Sequence, residues 1–228
     1  LLLYANGTDP QPYDPAEDDI GAWVADVVAR DVVEFGVRLR PWQDATTVRV
    51  RNGRTLVTEG PYSEAREWLL GFDILECDDL DEVLEIASRH PVARTGTVTV
   101  RPFDTSEPAG RLVPEGLRED SGRHYLMAVC AQAPGGEDTG TDPEEWVSTQ
   151  DAAGVRLFGE VLRPISEATE VRRRGGRVLL DQPVAPDGPW IAGIDLIQAD
   201  DLAGAVAVAA GHPMAAAGLI VLSPTWPF

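Results

Sequence analysis

The chain contains no lysine: all 19 of its basic residues are arginine. That excludes Schiff-base chemistry on lysine and any phosphate-loop mechanism that needs one. Cysteine is scarce as well. Cys77 and Cys130 stand alone, with no CxxC spacing and no metal-ligand cluster around either. They read as buried free thiols of a cytoplasmic protein, with a disulfide joining the two halves as the alternative. With only three histidines, none beside another ligand type at metal spacing, no metal site is expected. No run of about 18 apolar residues exists, so no membrane-spanning helix is expected. The opening LLLYANG has neither the basic flank nor the cleavage site of a signal peptide and reads as a strand.

Acid is abundant. The net charge of −19 divides into −9 over 1–103, −2 over 104–123 and −8 over 124–228. Both halves repel phosphate backbones, so neither nucleic acid nor an anionic membrane is an expected partner.

The chain states nearly the same text twice. GVRLRPWQDATTVRVRNGR (36–54) and GEVLRPISEATEVRRRGGR (159–177) agree at 11 of 19 positions. Residues 71–102 and 193–224 agree at 11 of 32. This is read as an internal duplication, with repeats at 1–103 and 124–228 and a linker at 104–123 (DTSEPAGRLVPEGLREDSGR).

Each repeat has the same pattern of elements. Short apolar runs, LLLYA and HYLMAV, read as strands, and a polar, proline-rich stretch follows. In the first repeat Ile20, Trp23, Val24, Val27, Val28, Val32 and Phe35 then recur at helical spacing; the second keeps Trp146, Val147 and Phe158. TTVRVRNGRTLVTEG alternates about Asn52–Gly53, the strongest two-residue hairpin signal, and Gly175–Gly176 stands at the same place. Strands are expected at 71–78 and 193–200. Helices follow behind Asp79, with Glu82 completing a capping box, and behind Asp201, where Gly204 replaces the glutamate. Both helices stop at His-Pro (His90–Pro91 and His212–Pro213), and a last strand closes each repeat. The order β-α-β-β-β-α-β predicts an α+β fold of two tandem ferredoxin-like repeats, each sheet covering the other's apolar face in an intrachain α/β-barrel.

The stretch VRVRNGRTLVTEGPYSEAREWLLGFDILECDDLDEVLEIASRHPVARTGTVTVRPF resembles the YCII-related family, in its DGPF-domain branch. The branch hallmark is a hairpin, Asp-Gly-Pro-Phe, an acidic helix, a Gly-Gly-Phe strand and an Arg-Pro-Val strand. Here Glu59-Gly60-Pro61-Tyr62 stands in the motif place, and Asp181-Gln182-Pro183-Val184 in the second repeat. The resemblance implies a dimeric α/β-barrel, with the duplication supplying both halves. Some relatives are thought to use a His–Asp pair with its histidine on the first helix; this chain has no histidine in 14–38 or 137–160. Others are encoded beside extracytoplasmic-function sigma factors, which implies a regulatory or accessory role.

Residues matched between repeats supply the site candidates. Glu59 and Asp181 could serve as a general base or bind an amine, or could simply satisfy a turn. Arg49 and Arg51, matched by Arg172 and Arg174, share one strand face and could clamp a carboxylate or phosphate, or could be a solvated surface. Trp68 and Trp190 are pocket walls or core. His90 and His212 are titratable ligand contacts, or protonated caps favoured by the helix dipole. Asp73 and Asp195 interrupt apolar strands and point to solvent or inward.

With no nucleophile–base pair evident in either repeat, the leading expectation is a small-molecule-binding regulatory or accessory protein. It needs no cofactor and is a pseudo-dimer within one chain, with a further homodimer open. The alternative is a cofactor-free lyase, isomerase or oxygenase acting on a small aromatic or dicarbonyl substrate. A third reading is an interaction module, for which only the acidic surface speaks.

Overall fold

The structure is a computed structural model describing residues 1–6, 19–62, 67–104, 123–131, 143–183 and 188–227. The first half runs β1 (Leu2–Asn6), α1 (Ile20–Ala29), β2 (Val33–Arg38), β3 (Thr46–Arg51), β4 (Arg54–Glu59), β5 (Glu67–Leu75), α2 (Leu80–Arg89), α3 (Pro91–Thr95) and β6 (Gly96–Val100). The second half repeats that order: β7 (His124–Ala131), α4 (Pro143–Ala152), β8 (Arg156–Val161), β9 (Thr169–Arg174), β10 (Arg177–Asp181), β11 (Trp190–Gln198), α5 (Leu202–Gly211), α6 (Pro213–Ala217) and β12 (Leu219–Pro224). The proline-rich stretches, the linker apart from its two end residues, and Val184 lie outside the described residues.

The strands form two antiparallel sheets of six, in the orders β10-β9-β6-β1-β5-β2 and β4-β3-β12-β7-β11-β8. The described strands make two separate antiparallel sheets, not the closed intrachain α/β-barrel expected from the sequence. Among the described residues each sheet is open, because its end strands pair on one side only: β10 and β2 in one sheet, β4 and β8 in the other. Closure would need hydrogen bonds between first and last strands at a consistent stagger.

The hairpins are exchanged between the halves. β9 pairs with β6 (Val98 opposite Val171), and β3 pairs with β12 (Ile220 opposite Val48). One compact unit therefore comprises Leu1–Arg38, Ala65–Pro102 and Arg163–Val184. The other comprises Leu39–Glu64, Phe103–Leu162 and Ala185–Phe228. Each compact unit therefore draws on both the 1–103 and the 124–228 stretches of the chain.

Local chemistry explains most elements. Asn52 and Gly53 have φ of 51° and 68°, and Gly175 and Gly176 of 55° and 75°, so two different dipeptides make the same tight turn. Asp79 and Asp201 accept hydrogen bonds from the backbone N–H groups of Glu82 (2.9 Å) and Gly204 (2.8 Å). The Glu82 carboxylate reaches back to the N–H of Asp78, which closes a variant capping box.

One sequence expectation fails at the first helix. α1 stops at Ala29, and Phe35 belongs to strand β2, not to the helix. Asp31 takes a left-handed φ of 56°, which breaks the helix, and Phe35 and Val37 then alternate as a strand. Phe158 likewise lies on strand β8.

In the first unit, Leu3, Ala87, Ala93, Val98 and Val171 form one cluster, and Trp23, Val27, Val32 and Ile86 another. Sheet residues and helix residues meet in both. In the second unit Val48, Met127, Trp146, Ile197, Ala209, Ile220 and Leu222 do the same. The two tryptophans tie helix to helix: Trp23 donates through Nε1 to the Ile86 carbonyl (3.1 Å), and Trp146 to that of Val208 (3.3 Å).

Candidate functional site

A strand built as GFDIL should put one side chain in two toward the helices. In the first unit that side chain is Asp73 on β5, and its place opposite Gly36 on β2 is what makes it possible. A Cβ on Gly36 would collide with the Asp73 Oδ1. The second unit repeats the device, with Asp195 on β11 opposite Gly159 on β8 and the same collision forbidden. Both aspartates are thus lodged in notches left by a glycine. Neither is a surface residue: the Asp73 and Asp195 side chains are 12% and 8% exposed.

The histidines come to the same layer. His90 ends α2 and starts α3, so it is both a C-cap and an N-cap. Its Nδ1 accepts the N–H of Val92 at 3.1 Å. His212 does the same between α5 and α6, accepting from Met214 at 3.0 Å. Trp23 and Trp146 meet the imidazoles edge-on at 4.6 Å. The histidines are 3% and 7% exposed, and burial pushes each imidazole down to about 4. This corrects the expectation of protonated imidazoles held by the helix dipole. A ring that accepts a backbone N–H through Nδ1 and is shut from water is neutral, with its proton on Nε2.

The units then diverge. In the first, His90 Nε2 faces Asp73 Oδ2 at 3.8 Å. In the second, Arg156 occupies the notch. Its Nε donates to Asp195 Oδ1 at 2.7 Å, Nη2 to the carbonyl of Gly159 at 2.5 Å, and Nη1 to Asp151 Oδ1 at 3.1 Å. Burial pushes the Asp195 carboxyl up, and Arg156 pulls it the other way. The residue matching Arg156 in the first half is Val33.

The remaining candidates lie elsewhere. Arg51 and Arg174 point at backbone. Arg51 donates to the carbonyls of Ala215 (3.1 Å), Ala216 (2.7 Å) and Gly218 (2.9 Å), so it caps the end of α6. Arg174 donates to Ala93 (2.9 Å), Arg94 (2.8 Å) and Gly96 (3.1 Å) at the end of α3. Arg49 is half-buried on β3. Arg172 pairs with Asp181 at 2.6 Å, and Asp181 is exposed at the end of edge strand β10. Glu59 is exposed at the end of β4. The following Gly60, at φ 81°, donates to the Ala45 carbonyl at 2.7 Å, which makes the motif a turn. Trp68 on β5 and Trp190 on β11 are half-buried.

The structure thus joins Asp73 to His90 and Arg172 to Asp181, two pairs that the sequence offered only as separate residues. Arg156 was missed. It lies three residues ahead of the matched block, where no identity marked it. Gly36 and Gly159, identical in both halves and inside strands, were the available signal for the notch.

Other chemistry is thin. Cys77 and Cys130 are free; burial pushes their thiols up to about 11 and about 12, which leaves no thiolate near neutrality. Among the described residues no group of three or more His, Cys, Asp or Glu could hold a metal ion. No helix among them is long and apolar enough to cross a membrane.

Two comparisons bear on ancestry. An uncharacterized protein of Rhizobium meliloti (strain 1021) is 34% identical over 115 residues, an alignment covering 47% of this chain and 93% of the relative. Residues 3–104 match the YCII-related domain, which takes in β1 from Leu3 on, the elements through β6, and both Asp73 and His90. The chain belongs to the YCII-related family.

Proposed function

We propose that this is a cytoplasmic regulatory or accessory protein that binds a small polar or aromatic molecule at the Asp73–His90 pair of the first unit. The observation that carries the reading is the 3.8 Å separation of His90 Nε2 and Asp73 Oδ2 inside a helix–sheet layer. That gap is too long for a hydrogen bond. A hydroxyl oxygen about 2.8 Å from each atom would accept from Nε2–H and donate to the carboxylate. Trp23, packed on the imidazole, holds the ring's orientation. In the second unit the guanidinium of Arg156 already fills the corresponding notch, so one site per chain is the expectation. The free thiols support the cytoplasmic reading.

The two halves are read as copies of one ancestral domain of the DGPF branch. Support comes from their common element order, their paired Asp N-caps and their paired Trp–His contacts.

The test is thermal shift with benzoate, catechol and acetylacetone as probes. A binder of the native state raises the melting temperature by mass action. The expected result is a rise in the wild type that disappears in Asp73→Asn and His90→Asn and persists in Glu59→Ala and Asp181→Ala. A rise retained in Asp73→Asn would remove the site.

The same pair favours a second reading, an enzyme. Asp73 would take a proton from the carbon next to a carbonyl, the electron pair would move to the carbonyl oxygen, and Nε2–H of His90 would hydrogen-bond the resulting enolate. Exchange of acetylacetone protons for deuterium, faster with the wild type than with Asp73→Asn, separates this from binding alone.

A further inference from the structure

Both sheets end in a hairpin arm that is exposed along its whole length: β4, with the sequence RTLVTE, and β10, with RVLLD. Leu56 and Val57 on β4, and Val178, Leu179 and Leu180 on β10, are between 41% and 53% exposed. Uncovered apolar edge strands are templates for pairing, and proteins usually blunt them with lysine, proline or a bulge. β10 has none of these.

We propose that β10 is a self-association edge, on which a second copy of this chain docks strand to strand about a two-fold axis through Leu179. Three independent features of the strand converge on that one register.

The first is hydrogen bonding. Arg174 and Arg177 flank the two-residue turn and face each other, which makes them a hydrogen-bonded pair. Alternation from there turns the backbone groups of Arg177, Leu179 and Asp181 toward β9 and those of Val178 and Leu180 outward. A two-fold through Leu179 sets Val178 opposite Leu180 of the second copy, so outward groups meet outward groups and exchange N–H···O bonds in both directions.

The second is charge. The same register sets Arg177 opposite Asp181 of the second copy, and Asp181 opposite the second Arg177. These are pairs of the non-hydrogen-bonded type, in which side chains lie closest. Asp181 already receives Arg172, and a carboxylate has a second oxygen free for another guanidinium.

The third is apolar contact, since the two Leu179 side chains meet on the axis.

β4 lacks this self-match. Its outward groups belong to Thr55, Val57 and Glu59 by the same alternation from the Arg51–Arg54 pair. A two-fold antiparallel pairing must set a residue opposite itself, and no such register brings Arg54 against Glu59. An isologous contact through β10 also closes on itself and gives a dimer, not a filament.

The contact is short, so association is weak. Sedimentation velocity of the full chain up to about 1 mM covers a Kd near 0.1 mM. The expected result is a monomer–dimer equilibrium that grows no further. Leu179→Lys, which puts like charges on the axis, weakens it by about tenfold or more. Val178→Pro, which removes an outward donor while leaving the hairpin bonds, does the same. Leu56→Lys on β4 changes nothing. In a second measurement, Leu179→Cys cross-links to itself under mild oxidation and Leu56→Cys does not. Circular dichroism and melting curves show each variant folded. Several outcomes would overturn the proposal: a wild type monomeric over the whole range, a dimer indifferent to Leu179→Lys and Val178→Pro, equal responses at Leu56 and Leu179, or pairing only with a different protein.

Discussion

Asp73 and Asp195 sit on matching strands, opposite matching glycines, beneath matching histidine–tryptophan pairs, and yet they live in different electrostatic company. Asp195 is joined to Arg156 at 2.7 Å, and the same guanidinium bonds Gly159 and Asp151. Asp73 faces a neutral imidazole at 3.8 Å. One arginine where the other half has Val33 converts a polar notch into a filled structural ion pair. The two carboxylates are thus held differently: a guanidinium fills the notch beside Asp195, and an imidazole stands across from Asp73. That asymmetry is the physical reason for seeking function in the first unit.

The largest expected effect breaks the filled side of this comparison. Arg156→Met leaves Asp195 buried without its cation and costs about 3–5 kcal/mol in urea unfolding. Val33→Met stays within about 1 kcal/mol. Combining Arg156→Met with Asp195→Asn recovers most of the loss. Equal costs at the two positions would contradict the contrast.

The histidines sharpen the comparison through pH. Each imidazole falls from 6.5 to about 4 in the fold. The unfolded chain therefore binds more protons in that window. Stability is fully present above about 6.5 and is lost as pH falls through about 4, by up to about 3 kcal/mol per histidine. Asp195 works in the opposite sense, because its carboxyl is raised, so the difference between wild type and His90→Asn or His212→Asn is the clean readout. Each substitution should flatten the acid limb by a similar amount. A limb unchanged in either would show that imidazole to be already charged.

A smaller effect tests where the units agree. Arg51→Ala and Arg174→Ala each strand three helix-end carbonyls and should cost about 1–3 kcal/mol, alike in both units. Smallest of all, Glu59→Ala and Asp181→Ala should fall within about 0.5 kcal/mol, since both carboxylates are exposed.

Much of this was legible in the sequence. The turn dipeptides, the Asp79 and Asp201 caps and the His-Pro stops name their backbone roles directly, because each satisfies a local demand. Exchange of the hairpins was not legible. β6 and β12 are both short apolar strands, and nothing in TVTV against LIVL tells β9 which to choose. β2 was hidden because Val32 and Phe35 happen to continue the helical spacing of α1, and only the left-handed Asp31 separates them. At the site, Asp73 and His90 were each visible as oddities, but their meeting depends on a notch at Gly36 that no spacing rule encodes. The arginines misled for a related reason. A guanidinium on a strand face looks ready for a ligand until a helix end comes within its reach.

The most direct test of the central claim is histidine imidazole NMR during titration with benzoate, catechol and acetylacetone. The account predicts that the His90 resonances move with saturable dependence on at least one probe while those of His212 stay fixed beside the Arg156–Asp195 pair. Movement of His212 equal to that of His90, or no movement of His90 with any probe, would contradict it.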